Sequence, residues 1–204
     1  MVTNNIAATQ TPAAAGSLTL TAGTSVKSVT TAGGVTVLQL DCPRAVQLTT
    51  ASGTIVTSRT ITVSGYDYYG QPMSEAIATG TTSSAVANVA GKKAFFQITG
   101  ITISGALPVA ITVGTTDVLG LPVRVFNVSY VASVKSNNTL AQDAGTFVAA
   151  ATQTATTTTG DVRGTYTPAT ASNGIVRTTM GILLPAIAVG PNATRVGALG
   201  VTQA

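Results

Sequence analysis

Alternation at a period of two, cut at short intervals by glycine, is the feature that most limits what this chain can become. Thr60-Ile61-Thr62-Val63, Ile101-Thr102-Ile103-Ser104 and Ile111-Thr112-Val113 set apolar residues and hydroxyls at alternate positions. Successive side chains of a strand leave opposite faces, so such runs bury one face and wet the other. From Leu18 onward SLTLTAG, TSVKSVT and GVTVLQL are further short runs bounded by glycine, the pattern of strands joined by turns. Gly65, Gly70, Gly80, Gly91, Gly100, Gly105, Gly114 and Gly120 punctuate the middle every five to eleven residues, too densely for ordinary helices. The expected fold is all-β: an antiparallel β-sandwich or jelly-roll-like domain with extended N- and C-terminal segments, in which stacking or closing the sheets limits exposed edges.

Composition divides the chain into three stretches. Residues 1–16 hold Ala, Thr, Asn and Pro without periodicity, which reads as a flexible arm or a strand ordered by a partner. Residues 17–148 form the main β-sandwich domain. Residues 149–204 begin with an Ala/Thr tract to Gly160, read as a low-complexity linker, and continue as an extended arm whose strands pack on the same domain or on a neighbour. Thr139 to Ala144 is read as one or two helical turns stopped by Gly145, and Asn173-Gly174 as a turn. A 204-residue chain can bury roughly 70% of its unfolded surface if it folds as one domain. Only 4% of its residues are aromatic, so the core rests on Val, Ile, Leu and Ala.

The same composition removes most chemistry. With no His and one Cys, the usual zinc, copper and non-haem iron ligand sets are missing. Asp41, Asp67, Asp117, Asp143 and Asp161 are scattered and none begins a calcium loop, so no cofactor or metal is expected. A serine or cysteine hydrolase lacks its histidine base. Ser25 with Lys27, and Ser133 with Lys135, are i, i+2 pairs that share a strand face, a pattern that solvated polarity explains. Asp67 and Glu75 flank an expected turn and could serve a glycan-binding or glycan-cleaving site with Tyr66, Tyr68 and Tyr69 as platforms; turn formation by Asp67 is the simpler account. Cys42 reads as a small buried hydrophobe.

Ten Lys and Arg stand against six Asp and Glu, a net charge of +4, and Lys92-Lys93 is the one adjacent cationic pair. Phosphate binding concentrates charge on one face, so direct nucleic-acid binding is not expected. The N-terminal stretch has no cationic start or apolar run of signal-peptide type, and nowhere do about twenty apolar residues run together, so no membrane partner is expected.

The segment TITVSGYDYYGQPMSEAI, Thr60 to Ile77, fits the pattern T-V-x-G-x-D-x-x-G-x-P-x-x-E-x-I. It resembles a motif of tailed-bacteriophage virion proteins, as do ITVGTTDVLGLPVRV at 111–125 and TGDVRGTYTP at 159–168. Together they resemble capsid decoration, or cement, proteins of short-tailed phages. That resemblance implies a jelly-roll-like or related sandwich, commonly a trimer, bound without catalysis to the outside of an icosahedral shell. Its partners would be the major capsid protein and copies of itself, and its place the capsid surface of the virion after assembly in the host cytoplasm. A head fibre, tail or connector protein is the alternative within the virion. The residues expected at an interface are Tyr66, Tyr68 and Tyr69 beside their Gly/Pro turn, then Arg163 and Tyr166, since Tyr and Arg are enriched among contact anchors.

Overall fold

The computed structural model describes residues 4–137, 139–152, 154–171, 177–183 and 201–203. Among the described residues twelve strands follow one another: β1 (Asn4–Asn5), β2 (Gly16–Ser17), β3 (Val26–Ala32), β4 (Val35–Thr50), β5 (Thr60–Tyr66), β6 (Pro72–Ala78), β7 (Asn88–Ile103), β8 (Ile111–Gly120), β9 (Val131–Ser136), β10 (Thr146–Val148), β11 (Thr165–Thr167) and β12 (Thr178–Ile182). Among the described residues a single 3-10 turn, Val128–Tyr130, precedes β9, and there is no α-helix. The all-β expectation is met.

Ten strands form one antiparallel sheet in the order β10-β11-β8-β4-β7-β5-β6, with β1 added to β8, β2 to β7 and β3 to β4. β9 and β12 make a separate two-stranded sheet. The main sheet curls into a half-barrel, a sandwich-like shape that closes an apolar interior. Its two longest strands make the curl possible. β4 pairs with β7 on one side and β8 on the other, and its register slips between Gln39 and Arg44 and again between Ala45 and Gln47. Bulges of this kind bend a strand and sharpen its twist. Inside lie Leu38, Leu40, Val46, Leu48, Ile61, Val63, Phe95, Ile98, Ile101, Ile111 and Val113, all buried. A second cluster of Leu121, Val125, Val134 and Tyr166 joins the small sheet to the large one.

Several boundaries differ from the sequence expectation, each for a physical reason. Glycines read as breaks lie within strands: Gly65 in β5, Gly91 and Gly100 in β7, Gly114 and Gly120 in β8. A Cβ on Gly65 would run into the Gln97 carbonyl, and one on Gly91 would sit 2.5 Å from Glu75 Oε2. These glycines let another group approach the backbone closely. Gly70 and Gly80, by contrast, lie between strands at φ 77° and 71°. Thr139 to Ala144 holds no helical turn among its described residues: the Thr139 N–H closes a tight turn on the Ser136 carbonyl, and the Asp143 N–H bonds the Val134 carbonyl.

The described part of the N-terminal stretch lies against the domain and is no free arm. Asn4 and Asn5 pair with Thr115 and Gly114, and Ile6 is fully buried in the core. The expected boundary at 148/149 falls inside a hairpin, because β10 pairs with β11 and β11 with β8. The Ala/Thr tract between them is tied down. The Ala150 N–H bonds the Val125 carbonyl, Ala151 bonds Asp161, and the Thr157 carbonyl accepts the Ala76 N–H at the β6 edge. The Asn173-Gly174 turn and most of the C-terminal stretch lie outside the described residues. Val201 packs on Ala155 and Val162, and the Ala155 N–H bonds the Thr202 carbonyl.

Candidate interaction surface

The β5-β6 hairpin ends in a turn built by one carboxylate. Asp67 Oδ1 accepts the N–H groups of Tyr69 and Gln71, both at 2.8 Å, and the Asp67 N–H bonds the Gln71 carbonyl at 3.0 Å. Its other oxygen, Oδ2, lies 2.7 Å from Arg163 Nη1, an ion pair whose side chains are 2% and 4% exposed. The Arg163 guanidinium also lies 4.8 Å from the centroid of the Tyr69 ring, within cation-π range. A loop ninety-six residues downstream of Asp67 is thus clamped beneath the turn.

Above this buried pair stands an aromatic patch. Tyr68 meets Tyr69 edge-on at 5.3 Å and Phe96 at 5.2 Å between ring centroids, and the Tyr69 hydroxyl donates to the Pro122 carbonyl at 2.6 Å. Such geometries add about 0.5–1.5 kcal/mol per aromatic pair and fix the rings in place. Tyr66, Tyr68 and Tyr69 nonetheless stay 37%, 52% and 44% exposed. The result is a rigid, partly wet set of amphipathic rings, a surface suited to contact with another macromolecule.

The five residues expected at an interface divide into two groups. All three tyrosines are exposed, and Tyr68 and Tyr69 come together on the surface with Phe96; Tyr66, at the end of β5, is not part of that ring cluster. Arg163 and Tyr166 do not reach it; both are 3% exposed, which corrects their reading as contact anchors. Arg163 is internal because it neutralises Asp67. Tyr166 is internal because its ring fills the second apolar cluster while its hydroxyl donates to Asp143 Oδ1. Burial, with the Asp143 carboxylate beside it, pushes the Tyr166 hydroxyl up to about 12. Phe96 and the Pro122 carbonyl could not be foreseen as parts of the patch, since both lie far from the turn along the chain.

A second polar group lies under the same end of the sheet. Glu75 accepts the Lys92 and Lys93 N–H groups, and burial raises its carboxyl above the ordinary value of 4.5. Asp161 accepts the Ala94 N–H at 3.0 Å and the Arg163 N–H at 2.8 Å, and burial raises it too. Lys93 is fully buried, its Nζ donating to the Ser74 carbonyl at 2.9 Å, and burial lowers its ammonium pKa. Neighbouring strand residues point to opposite faces, so Lys92 is exposed while Lys93 is inside, and the pair makes no cationic surface. Asp67 and Glu75, offered as a carboxylate pair for glycan chemistry, are 2% and 3% exposed and bound to turn, guanidinium and backbone partners.

The remaining sequence candidates are ordinary parts of the fold. Ser25 is buried with its hydroxyl 2.8 Å from that of Thr115, whereas Lys27 is exposed, so the two do not share a face. Ser133 and Lys135 do share one on β9. Cys42 is half-buried, and burial pushes its thiol up to about 11, which leaves little thiolate near neutral pH. Arg44 bridges Asp41 at 2.7 Å and Asp117 at 3.1 Å; although burial opposes it, Arg44 holds Asp41 below 3.8. Among the described residues no three His, Cys, Asp or Glu side chains converge as metal ligands.

The site is thus an exposed aromatic patch on an all-β scaffold with internal charge pairs. Comparison with protein-family models, with curated proteins and with solved structures returns no match.

Proposed function

We propose that this chain is a non-enzymatic structural protein that works by binding other proteins. Within that class the reading is a capsid decoration protein of a tailed bacteriophage, which binds the outer shell and stiffens it. The observation that carries the binding role is the exposed Tyr68 and Tyr69 pair, packed with Phe96 over the buried Asp67-Arg163 pair, with exposed Tyr66 close by in the chain. The virion assignment rests on the resemblance of Thr60 to Ile77 to phage virion proteins. The partners are the major capsid protein and copies of this chain, met at the capsid surface, with neither nucleic acid nor membrane involved.

The physical logic is multiplicity. A contact of standard size, about 1,200–2,000 Å², repeated over many copies holds a shell together without any single tight bond. Tyr rings suit such contacts because they bring a large area at small entropic cost. Sedimentation with purified capsids tests the reading. Wild-type chain is expected to co-sediment at a stoichiometry of hundreds per particle, and Tyr68→Ala to weaken binding at least tenfold with an unchanged circular-dichroism spectrum, about 1.4 kcal/mol. Absence of capsid binding, or six to twelve copies per particle, would remove the decoration role. Full capsid occupancy by Tyr68→Ala would remove the patch.

A further inference from the structure

The tip of the β3-β4 hairpin, up to Val37, is a two-stranded ribbon that the core does not cover, while Leu38 and Leu40 of β4 lie inside. Every β3 residue after Val26 is exposed, and Val29 and Val35 each remain 50% exposed although they lie on opposite faces of the ribbon. Two strands alone are marginal in water, so a ribbon open on both faces lacks the covering that normally stabilises one. Among the described residues β3 pairs only with β4, leaving its other edge open.

The turn fixes which backbone groups face that edge. Gly33 and Gly34 have φ of 58° and 79°, the two positive values of a type I′ turn, and join Ala32 to Val35. The pair flanking such a turn exchanges both N–H and C=O bonds, and bonded and non-bonded pairs then alternate. Ala32, Thr30 and Ser28 therefore bond inward to β4. Val29 and Thr31 present N–H and C=O outward.

Proteins normally guard such an edge with proline, charge or a bulge; β3 has its charge and its register shift together at Lys27, away from the turn, and Ser28 to Leu40 contains neither proline nor charge. The charge pattern elsewhere says what fits. All six carboxylates are engaged internally: Asp41 and Asp117 by Arg44, Asp67 by Arg163, Glu75 by backbone amides, Asp143 by Tyr166, Asp161 by Ala94 and Arg163 amides. Lys27, Lys92 and Arg177 are exposed, as is Asp41, whereas Ser28 to Ala32 carries no charge, so a second copy laid along that stretch brings no like charges together. The uncharged stretch of β3 next to the turn is where two copies can meet.

We infer that the open edge of β3 pairs antiparallel with β3 of a second copy, about a twofold axis at Thr30, joining the two ribbons into one four-stranded sheet. Val29 of each copy then exchanges hydrogen bonds with Thr31 of the other, a β-branched pairing favourable on a pleated surface. Lys27 falls opposite Gly33 of the other copy, which leaves the two Lys27 charges about 20 Å apart at ~3.3 Å per residue. That exceeds the Debye length of about 8 Å at physiological salt, so they do not oppose the contact.

This inference deepens the proposed assembly role by locating the self-contact. Amide exchange on the full chain tests it at about 1 mM, where even a Kd near 1 mM, ~4 kcal/mol, is populated. The Thr30 amide should be protected at every concentration. With half the chains paired at that concentration, those of Val29 and Thr31 should exchange about twofold more slowly, more so if pairing is tighter, and lose the protection on dilution. Val29→Pro and Thr31→Pro delete an outward N–H without touching the bonds to β4 and should abolish the concentration-dependent rise in sedimentation; Val29→Lys should do so without altering the backbone. Free exchange of both amides at 1 mM, or unchanged association of all three variants, would overturn the ribbon pairing. A ribbon dimer that ignores capsids would sink the virion reading alone, and capsid binding with unprotected Val29 and Thr31 amides would sink the ribbon alone.

Discussion

Replacing Arg163 with Met probes the contact on which the tyrosine patch stands. Arg163 and Asp67 are 2.7 Å apart with side chains 4% and 2% exposed, so water cannot take the place of the lost partner. Breaking a buried pair from one side costs about 3–5 kcal/mol, because a charge is left in a poor dielectric. The N–H groups of Tyr69 and Gln71 still solvate Asp67, which pulls the value toward the lower end, while loss of the guanidinium against the Tyr69 ring adds about 0.5–2 kcal/mol. The expected loss is therefore about 3–4 kcal/mol. With m near 2–3 kcal/mol/M, the urea midpoint should fall by roughly 1–2 M at unchanged slope. Asp67→Asn, which keeps the turn acceptor but strands Arg163, should cost a similar amount. The double variant should cost much less than the sum, with a coupling of about 2 kcal/mol or more. Single losses under about 1 kcal/mol, or additivity within ~0.5 kcal/mol, would refute the view that this pair clamps the loop.

Three more outcomes follow from the packing. Ile6→Ala should cost about 2–5 kcal/mol by thermal or urea unfolding, because Ile6 is fully buried, whereas a free arm would leave stability unchanged. Gly91→Ala should cost about 1–3 kcal/mol, since the new methyl meets a Glu75 carboxylate that backbone amides hold in place; a neutral effect in urea would show that Glu75 can give way. Glu75 and Asp161 have carboxyl pKa values raised by burial, so the unfolded chain releases their protons first as pH rises. Their contribution is therefore most favourable below the ordinary values of 4.5 and 3.8 and is lost as pH climbs through the raised folded values. Glu75→Gln should flatten the stability-pH curve over that window, and an unchanged slope would contradict the assignment.

Legibility in the sequence stopped at the range over which each physical cause acts. Alternation placed β5 and the adjoining turn correctly, and Asp67 with Gly70 marked that turn, because both signals live within a few residues. The three tyrosines were found for the same reason. Arg163 and Tyr166 were singled out as the right residue types in a role their burial rules out, since nothing near them in the chain says that Asp67 and Asp143 wait to receive them.

The sequence by itself determined that this chain makes antiparallel β structure from small aliphatic residues, because a strand's two-residue period is set by the backbone alone. Tertiary structure decided which glycines interrupt strands and which, like Gly91, admit a neighbour; that Ile6 completes the core; and that seven charged side chains, Arg44, Asp67, Glu75, Lys93, Asp117, Asp161 and Arg163, lie inside. Burial of a charge depends on counter-groups brought from distant strands at the moment the sheet closes. No window of neighbouring residues contains that information.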